Sequence, residues 1–136
     1  MPTQKVGAGE QEIEIERGKR SLKVPKSGTI DRIHYAKTIL LQNLNNPPSI
    51  SVLAKQVKLN EYTLKRGFQQ VFNTTIFRYL HNYRLEQAKQ LFQTGEMGVA
   101  EVMDAVGFCD RHHFAAAFRK KYQVNPRDYL MQYKRH

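Results

Sequence analysis

From residue 31 onward, apolar residues recur at the three- and four-residue spacing of one helical face. Ile33, Ala36, Leu40 and Leu44 make the first stripe, and Asn45-Asn46-Pro47-Pro48 stops it. Ser49 is placed to cap a short helix carrying Leu53, Ala54 and Val57. Past Lys58-Leu59, Asn60 caps a further helix whose inner face is Leu64, Phe68 and Phe72. Thr74 or Thr75 opens a longer helix, residues 75–93, with Ile76, Leu80, Ala88 and Leu91 or Phe92 turned inward. Thr94-Gly95-Glu96-Met97-Gly98 breaks the chain, and three more helical stripes follow. Asn125-Pro126 opens the last of them, residues 126–134, with proline at the first helical position. The pattern predicts an all-α body of about seven helices.

Residues 1–30 differ. They hold half of the eight glycines, and Glu12-Ile13-Glu14-Ile15-Glu16 alternates at the strand period of two. Arg17-Gly18-Lys19-Arg20 reads as a turn and Ser21-Leu22-Lys23-Val24 as a return strand. A lone hairpin is barely stable in water. The expectation is a flexible leader or the remnant hairpin of an absent domain, followed by one domain over 31–136.

The helical body repeats itself. Shifted by 49, Leu53, Val57 and Leu59 fall on Val102, Val106 and Phe108. Shifted by 50, Leu64, Phe68, Phe72, Tyr79 and Leu80 fall on Phe114, Phe118, Tyr122, Tyr129 and Leu130. The change of offset falls in the turn, where an added residue costs little. Each copy is a short helix, a tight turn and a second helix, the layout of a helix-turn-helix. The copies span 49–73 and 99–123, with the long helix between them as a linker. Two copies are too few for a helical solenoid, so paired units are expected. The linker helix extends roughly 28 Å at 1.5 Å per residue. Successive major grooves on one face of B-DNA lie about 34 Å apart, so one chain is expected to read two of them.

The second helix of each copy carries the candidate chemistry. In the first, Glu61, Tyr62, Lys65, Arg66 and Gln69 point outward. Arg, Lys and Gln are the side chains that bridge purine edges, and Tyr62 suits a sugar or a thymine methyl. In the second, Arg111, His112 and His113 stand at the helix start, where side chains can reach base edges, and Ala115-Ala116-Ala117 offers only methyl contacts. Arg119, Lys120 and Lys121 follow and suit phosphates, as do Arg78, Arg84 and Arg127. The first copy is therefore expected to carry most of the base reading and the second mostly to grip backbone.

Charge sharpens this reading. Twenty-two Lys and Arg face twelve Asp and Glu, a net charge of +10 that favours a polyanionic partner. Residues 31–136 carry sixteen of these cations and eight of the acids, and residues 111–136 seven and one. The single cysteine, Cys109, excludes an internal disulfide framework and fits a reducing compartment. No apolar run approaches the roughly 18 residues of a membrane span, and the N-terminus lacks a secretory apolar core, so the cytoplasm is expected. Cys109 with His112 and His113 lacks the spacing of a zinc site, and no phosphate loop or carboxylate pair stands out. Neither an enzyme nor a metal or other cofactor is expected. The rival reading is a basic helical interaction module that binds nucleic acid without sequence preference, or a protein.

Val106-Gly107-Phe108, Phe114, Phe118-Arg119-Lys120, Asn125-Pro126 and Tyr129 resemble the C-terminal signature of AraC/XylS-family transcription regulators. Leu53-Ala54, Leu64, Phe68, Phe72, Tyr79-Leu80, Arg84-Leu85 and Ala88-Lys89 with Leu91 agree with the preceding half. The similarity covers residues 31–136. It implies a seven-helix domain with two helix-turn-helix units that binds double-stranded promoter DNA and usually activates transcription, with RNA polymerase as a further partner. The family's reading positions fall on Asn60, Tyr62, Lys65 and Arg66, then on Arg111, His112, His113 and Ala116. Members usually attach this domain to a sensing or dimerising domain, for which residues 1–30 are too short; dimerisation is left open. Many members have Gly where this chain has Lys58, Asn73 and Gln123, a small Ala at Met103, and Arg at Ala116. A positive φ at Lys58 or Gln123 would cost about 1 kcal/mol each, less at Asn73. Met103 is expected to crowd its helix crossing unless the units shift apart.

Overall fold

A computed structural model describes residues 28–134 of the chain. The leader or hairpin read over residues 1–30 falls outside this range up to residue 27, and Thr29 and Ile30 already belong to the first helix. The described residues form seven helices and no strand: α1 (Thr29–Gln42), α2 (Ile50–Gln56), α3 (Glu61–Phe72), α4 (Ile76–Gln93), α5 (Val99–Val106), α6 (Arg111–Tyr122) and α7 (Pro126–Met131). They divide into two compact units. Of the described residues, one unit comprises 28–42 with Pro48–Ile76, and the other comprises Asn43–Pro47 with 77–134.

In the first unit, α1, α2 and α3 pack against one another. Ile33, Ala36 and Leu40 of α1, Leu53 and Ala54 of α2, Val57, and Leu64 and Phe68 of α3 are buried. Phe72 is only half-buried, at the edge rather than in the centre. Its ring lies 4.6 Å from Phe68 and edge-on to His34 at 5.2 Å. Ser49 Oγ accepts from the Val52 N–H, and Asn60 Oδ1 accepts from the Thr63 N–H at 2.7 Å. These caps satisfy amide groups that the first turn of a helix leaves open.

The second unit is the more aromatic. Leu85, Ala88 and Phe92 of α4, Val102 and Val106 of α5, Phe108, Phe114 and Phe118 of α6, and Tyr129 and Leu130 of α7 form its core. Phe92, rather than Leu91, is the fully buried residue near the end of α4. The Phe118 ring has Tyr122 at 4.8 Å, Phe92 at 5.5 Å, Tyr129 at 5.8 Å and Phe114 at 6.0 Å. Burying one such side chain contributes about 1.5–3 kcal/mol, so this cluster dominates the unit's stability. Met103 is accommodated half-buried against the cluster rather than forcing it open. The segment Asn43–Pro47 is tied on by polar bonds: Arg84 Nη2 donates to the Leu44 carbonyl at 2.6 Å, and Asn45 Nδ2 to the Asp104 carbonyl at 2.7 Å.

The sequence duplication is also a duplication of backbone. The Leu59 N–H reaches the Ala54 carbonyl at 3.0 Å, and its counterpart Phe108 reaches Met103 at 3.0 Å. The Asn73 N–H reaches Gln69 at 2.8 Å, and Gln123 reaches Arg119 at 2.8 Å. Lys58 stands at φ 59° where the second unit has Gly107 at φ 92°, and Asn73 at φ 60° matches Gln123 at φ 65°. The positive φ anticipated at Lys58, Asn73 and Gln123 is present at all three. Glycine at 107 has a further cause, since a Cβ there would collide with the Leu44 carbonyl. α7 ends at Met131, short of residue 134. Beyond it, the Gln132 and Tyr133 N–H groups turn back onto the Tyr129 and Leu130 carbonyls.

Candidate nucleic-acid interface

With Leu64 and Phe68 buried, α3 turns its opposite side outward. Residues three and four apart share a helical face, so Tyr62, Lys65, Arg66, Gln69 and Gln70 form one continuous ridge. All five are exposed, and they line an open surface depression of about 390 Å³. Tyr62 is 69% exposed, and its hydroxyl accepts a long hydrogen bond, 3.5 Å, from Arg66 Nη1. Asn60 and Glu61 are exposed at the helix start, beside the ridge rather than on it. Asn60 has its side-chain oxygen occupied by the cap, which leaves its amide NH₂ as the outward donor. Gln70 was not among the expected readers, although its four-residue step from Arg66 puts it on the same face.

The same positions of α6 carry different chemistry. His112, Ala115, Ala116, Arg119 and Lys120 take the places of Tyr62, Lys65, Arg66, Gln69 and Gln70. His112, Ala116, Arg119 and Lys120 are exposed. Of the three consecutive alanines only Ala116 faces out; Ala115 and Ala117 are half-buried, because successive residues point in different directions around a helix. Asp110 caps α6, its carboxylate accepting from the His112 N–H at 2.9 Å and the His113 N–H at 3.2 Å. The bonds from His113 and His112 hold its pKa below the ordinary carboxylate value.

Arg111 and His113 are exposed at the flanks of the α6 helix start. The His113 ring lies 5.9 Å from His81 of α4, and both rings lie against Phe108, at 5.8 Å and 5.7 Å. The His81 pKa is lowered, first by burial and then by the nearby His113, Arg84, Arg78 and Lys121.

The cations expected to meet phosphates separate into two groups. Arg78, Arg119, Lys120 and Arg127 are exposed on their helices. Arg84 takes a different post, half-buried on the Leu44 carbonyl with its Nε enclosed, and burial lowers its pKa. Lys121 is one residue past Lys120 but turned off the ridge. Its ammonium lies 3.9 Å from Glu86 and 5.5 Å from the centre of the Tyr122 ring, which Lys89 also covers at 4.8 Å. Burial, then Glu86 and Tyr129, push the Tyr122 phenol up to about 12.

Two helix-turn-helix units with outward ridges invite comparison with known proteins. A family model described as a helix-turn-helix domain matches residues 53–132. The HTH-type transcriptional activator RhaS of Escherichia coli is 29% identical over 110 residues, which are 81% of this chain and 40% of that protein. The chain belongs to the AraC/XylS family of DNA-binding transcription regulators. Regulatory protein PchR of Pseudomonas aeruginosa is 39% identical over 70 residues, 52% of this chain and 24% of that protein. The chain thus spans well under half the length of either AraC/XylS relative. A crystal structure of an AraC-type transcriptional regulator from Chromobacterium violaceum superposes with a TM-score of 0.68 at 27% identity, covering 74% of this chain and 90% of that one.

Two further observations bound the chemistry of this AraC/XylS domain. Among the described residues no three His, Cys, Asp or Glu side chains gather as metal ligands, and Cys109 is an exposed free thiol. Among the same residues no helix is long and apolar enough to cross a membrane.

Proposed function

We propose that the chain binds double-stranded promoter DNA in the cytoplasm and activates transcription there through RNA polymerase, with the two units dividing the work. The first unit reads bases through Tyr62, Lys65, Arg66 and Gln69, with Asn60 and Glu61 at the helix start. The second mostly holds backbone, through Arg119 and Lys120 with Arg78, Lys121 and Arg127 as further candidates, and adds a smaller share of base reading through Arg111, His112, His113 and Ala116. Each unit engages its own stretch of major groove. The domains behind this reading are the two helix-turn-helix units at 49–73 and 99–123.

The observation that carries the proposal is the pairing of one repeated framework with two unlike ridges. Arg66 and Lys65 are the only cations on the α3 ridge and stand at its centre; the cations on the α6 ridge, Arg119 and Lys120, stand at its far end, with Arg111 beside the helix start. A bidentate Arg or Gln contact discriminates between bases by about 1–3 kcal/mol, whereas a phosphate contact carries no sequence information.

The test is selection of bound duplexes from a random pool, followed by affinity measurements at moderate salt. The chain should prefer its selected duplex over a scrambled one. Arg66→Ala should cost about 1–3 kcal/mol on the selected site and relax preference at a contiguous set of positions. Equal and wholly salt-sensitive binding to both duplexes would leave only a basic helical module. Protection confined to one major groove would overturn the division between units.

A further inference from the structure

The α6 ridge holds no hydrogen-bond donor at its centre. Ala115 and Ala116 stand where the first unit carries Lys65 and Arg66, over a backbone that matches that unit's caps and turns. Ala116 is exposed, and cationic or polar side chains flank it along the ridge: His112 on one side, Arg119 and Lys120 on the other. At the centre of the ridge only a methyl projects, so no long side chain stands there between the helix and the surface that it meets.

A methyl group cannot satisfy the acceptors of a purine edge or the amino group of cytosine, and covering them leaves desolvated polar atoms unpaired. The apolar group that the major groove displays is the C5 methyl of thymine, a known partner of alanine. We infer that the second unit reads thymine C5 methyls in its half-site through Ala116, which makes Ala116 a specificity-determining residue. The inference rests on the DNA-binding reading above and adds to it the base that the second unit selects.

The test uses the full chain and its selected duplex. Positions relaxed by Arg66→Ala mark the first unit's half, and thymines in the remainder are replaced one at a time by deoxyuridine, which removes only the C5 methyl. One or two replacements should weaken binding about fourfold each, the worth of one buried methyl. At the same positions 5-methylcytosine should bind better than cytosine. In Ala116→Gly, which removes the methyl, the deoxyuridine penalty should shrink toward none, and in Ala116→Ser, which puts a hydroxyl on the β-carbon, it should shrink. Thermal melting of each variant shows that α6 still folds.

Deoxyuridine tolerated throughout that half of a specifically bound duplex would overturn the inference and leave the regulator reading intact. So would a penalty undiminished in both variants, since another residue would then be reading the methyl. Loss of preference for the selected over the scrambled duplex in the unmodified chain would instead overturn the regulator reading itself.

Discussion

Lys58 and Gln123 close duplicated turns in the left-handed region, at φ 59° and φ 65°. A Cβ there crowds the adjoining backbone, and neither side chain has the short polar group that lets Asn73 tolerate φ 60°. Lys58→Gly and Gln123→Gly should therefore each raise stability by about 0.5–1 kcal/mol, the greater freedom of glycine in the unfolded chain taking back part of the relief. Thermal melts at fixed pH and salt read this directly, and an unchanged midpoint would show the turn to be unstrained. Arg84 offers a contrasting case at the same scale. Its bond to the Leu44 carbonyl and its enclosed Nε make it part of the second unit's framework. Arg84→Met should lower the melting temperature while leaving the salt dependence of DNA binding unchanged. A shallower salt slope with unaltered melting would return Arg84 to the phosphate contacts.

At the scale of elements, α4 and α6 meet through His81 and His113 beside Phe108, and the half-buried position of His81 there should make the second unit sensitive to acid. Burial and the surrounding His113, Arg84, Arg78 and Lys121 lower the His81 pKa below the ordinary imidazole value near 6.5. As pH falls below about 6.5 the unfolded chain takes up a proton that the folded unit resists. The stability present above that pH is thus lost progressively below it, and His81→Gln should flatten the decline between neutral and mildly acid melts. An equal decline in the variant would place the sensitivity elsewhere. The elements themselves were largely legible in the sequence, because helical period and caps at Ser49 and Asn60 are local signals. What local signals missed is direction and distance. Ala115-Ala116-Ala117 reads as one bare face, yet the helix turns only Ala116 outward. Lys121 joins Lys120 in sequence but meets Glu86 in space. Arg84 finds a carbonyl 40 residues away, and no period records that. α7 ends at Met131, and past it the Tyr133 carbonyl lies close against Gly95, where a Cβ would collide with it.

For the whole molecule the decisive quantity is how the charge of +10 is used. Each phosphate neutralised by Lys or Arg releases counterions, and log affinity falls with log salt by about 0.9 per contact. A chain whose cations merely surround DNA loses slope gradually whichever of them is removed. A chain with assigned contacts responds selectively. Arg119→Ala with Lys120→Ala should lower the salt slope by about 2 while the ratio of selected to scrambled affinity stays constant. Arg66→Ala should do the reverse, collapsing that ratio while changing the slope by at most about 1. The comparison is internal, because both ridges sit on the same repeated backbone and differ only in side chains. Binding isotherms for the three proteins on two duplexes across a salt series decide it. If the α6 pair changed the ratio, or the slope responded equally to all three cations, the unequal ridges would be a difference of sequence without a difference of task.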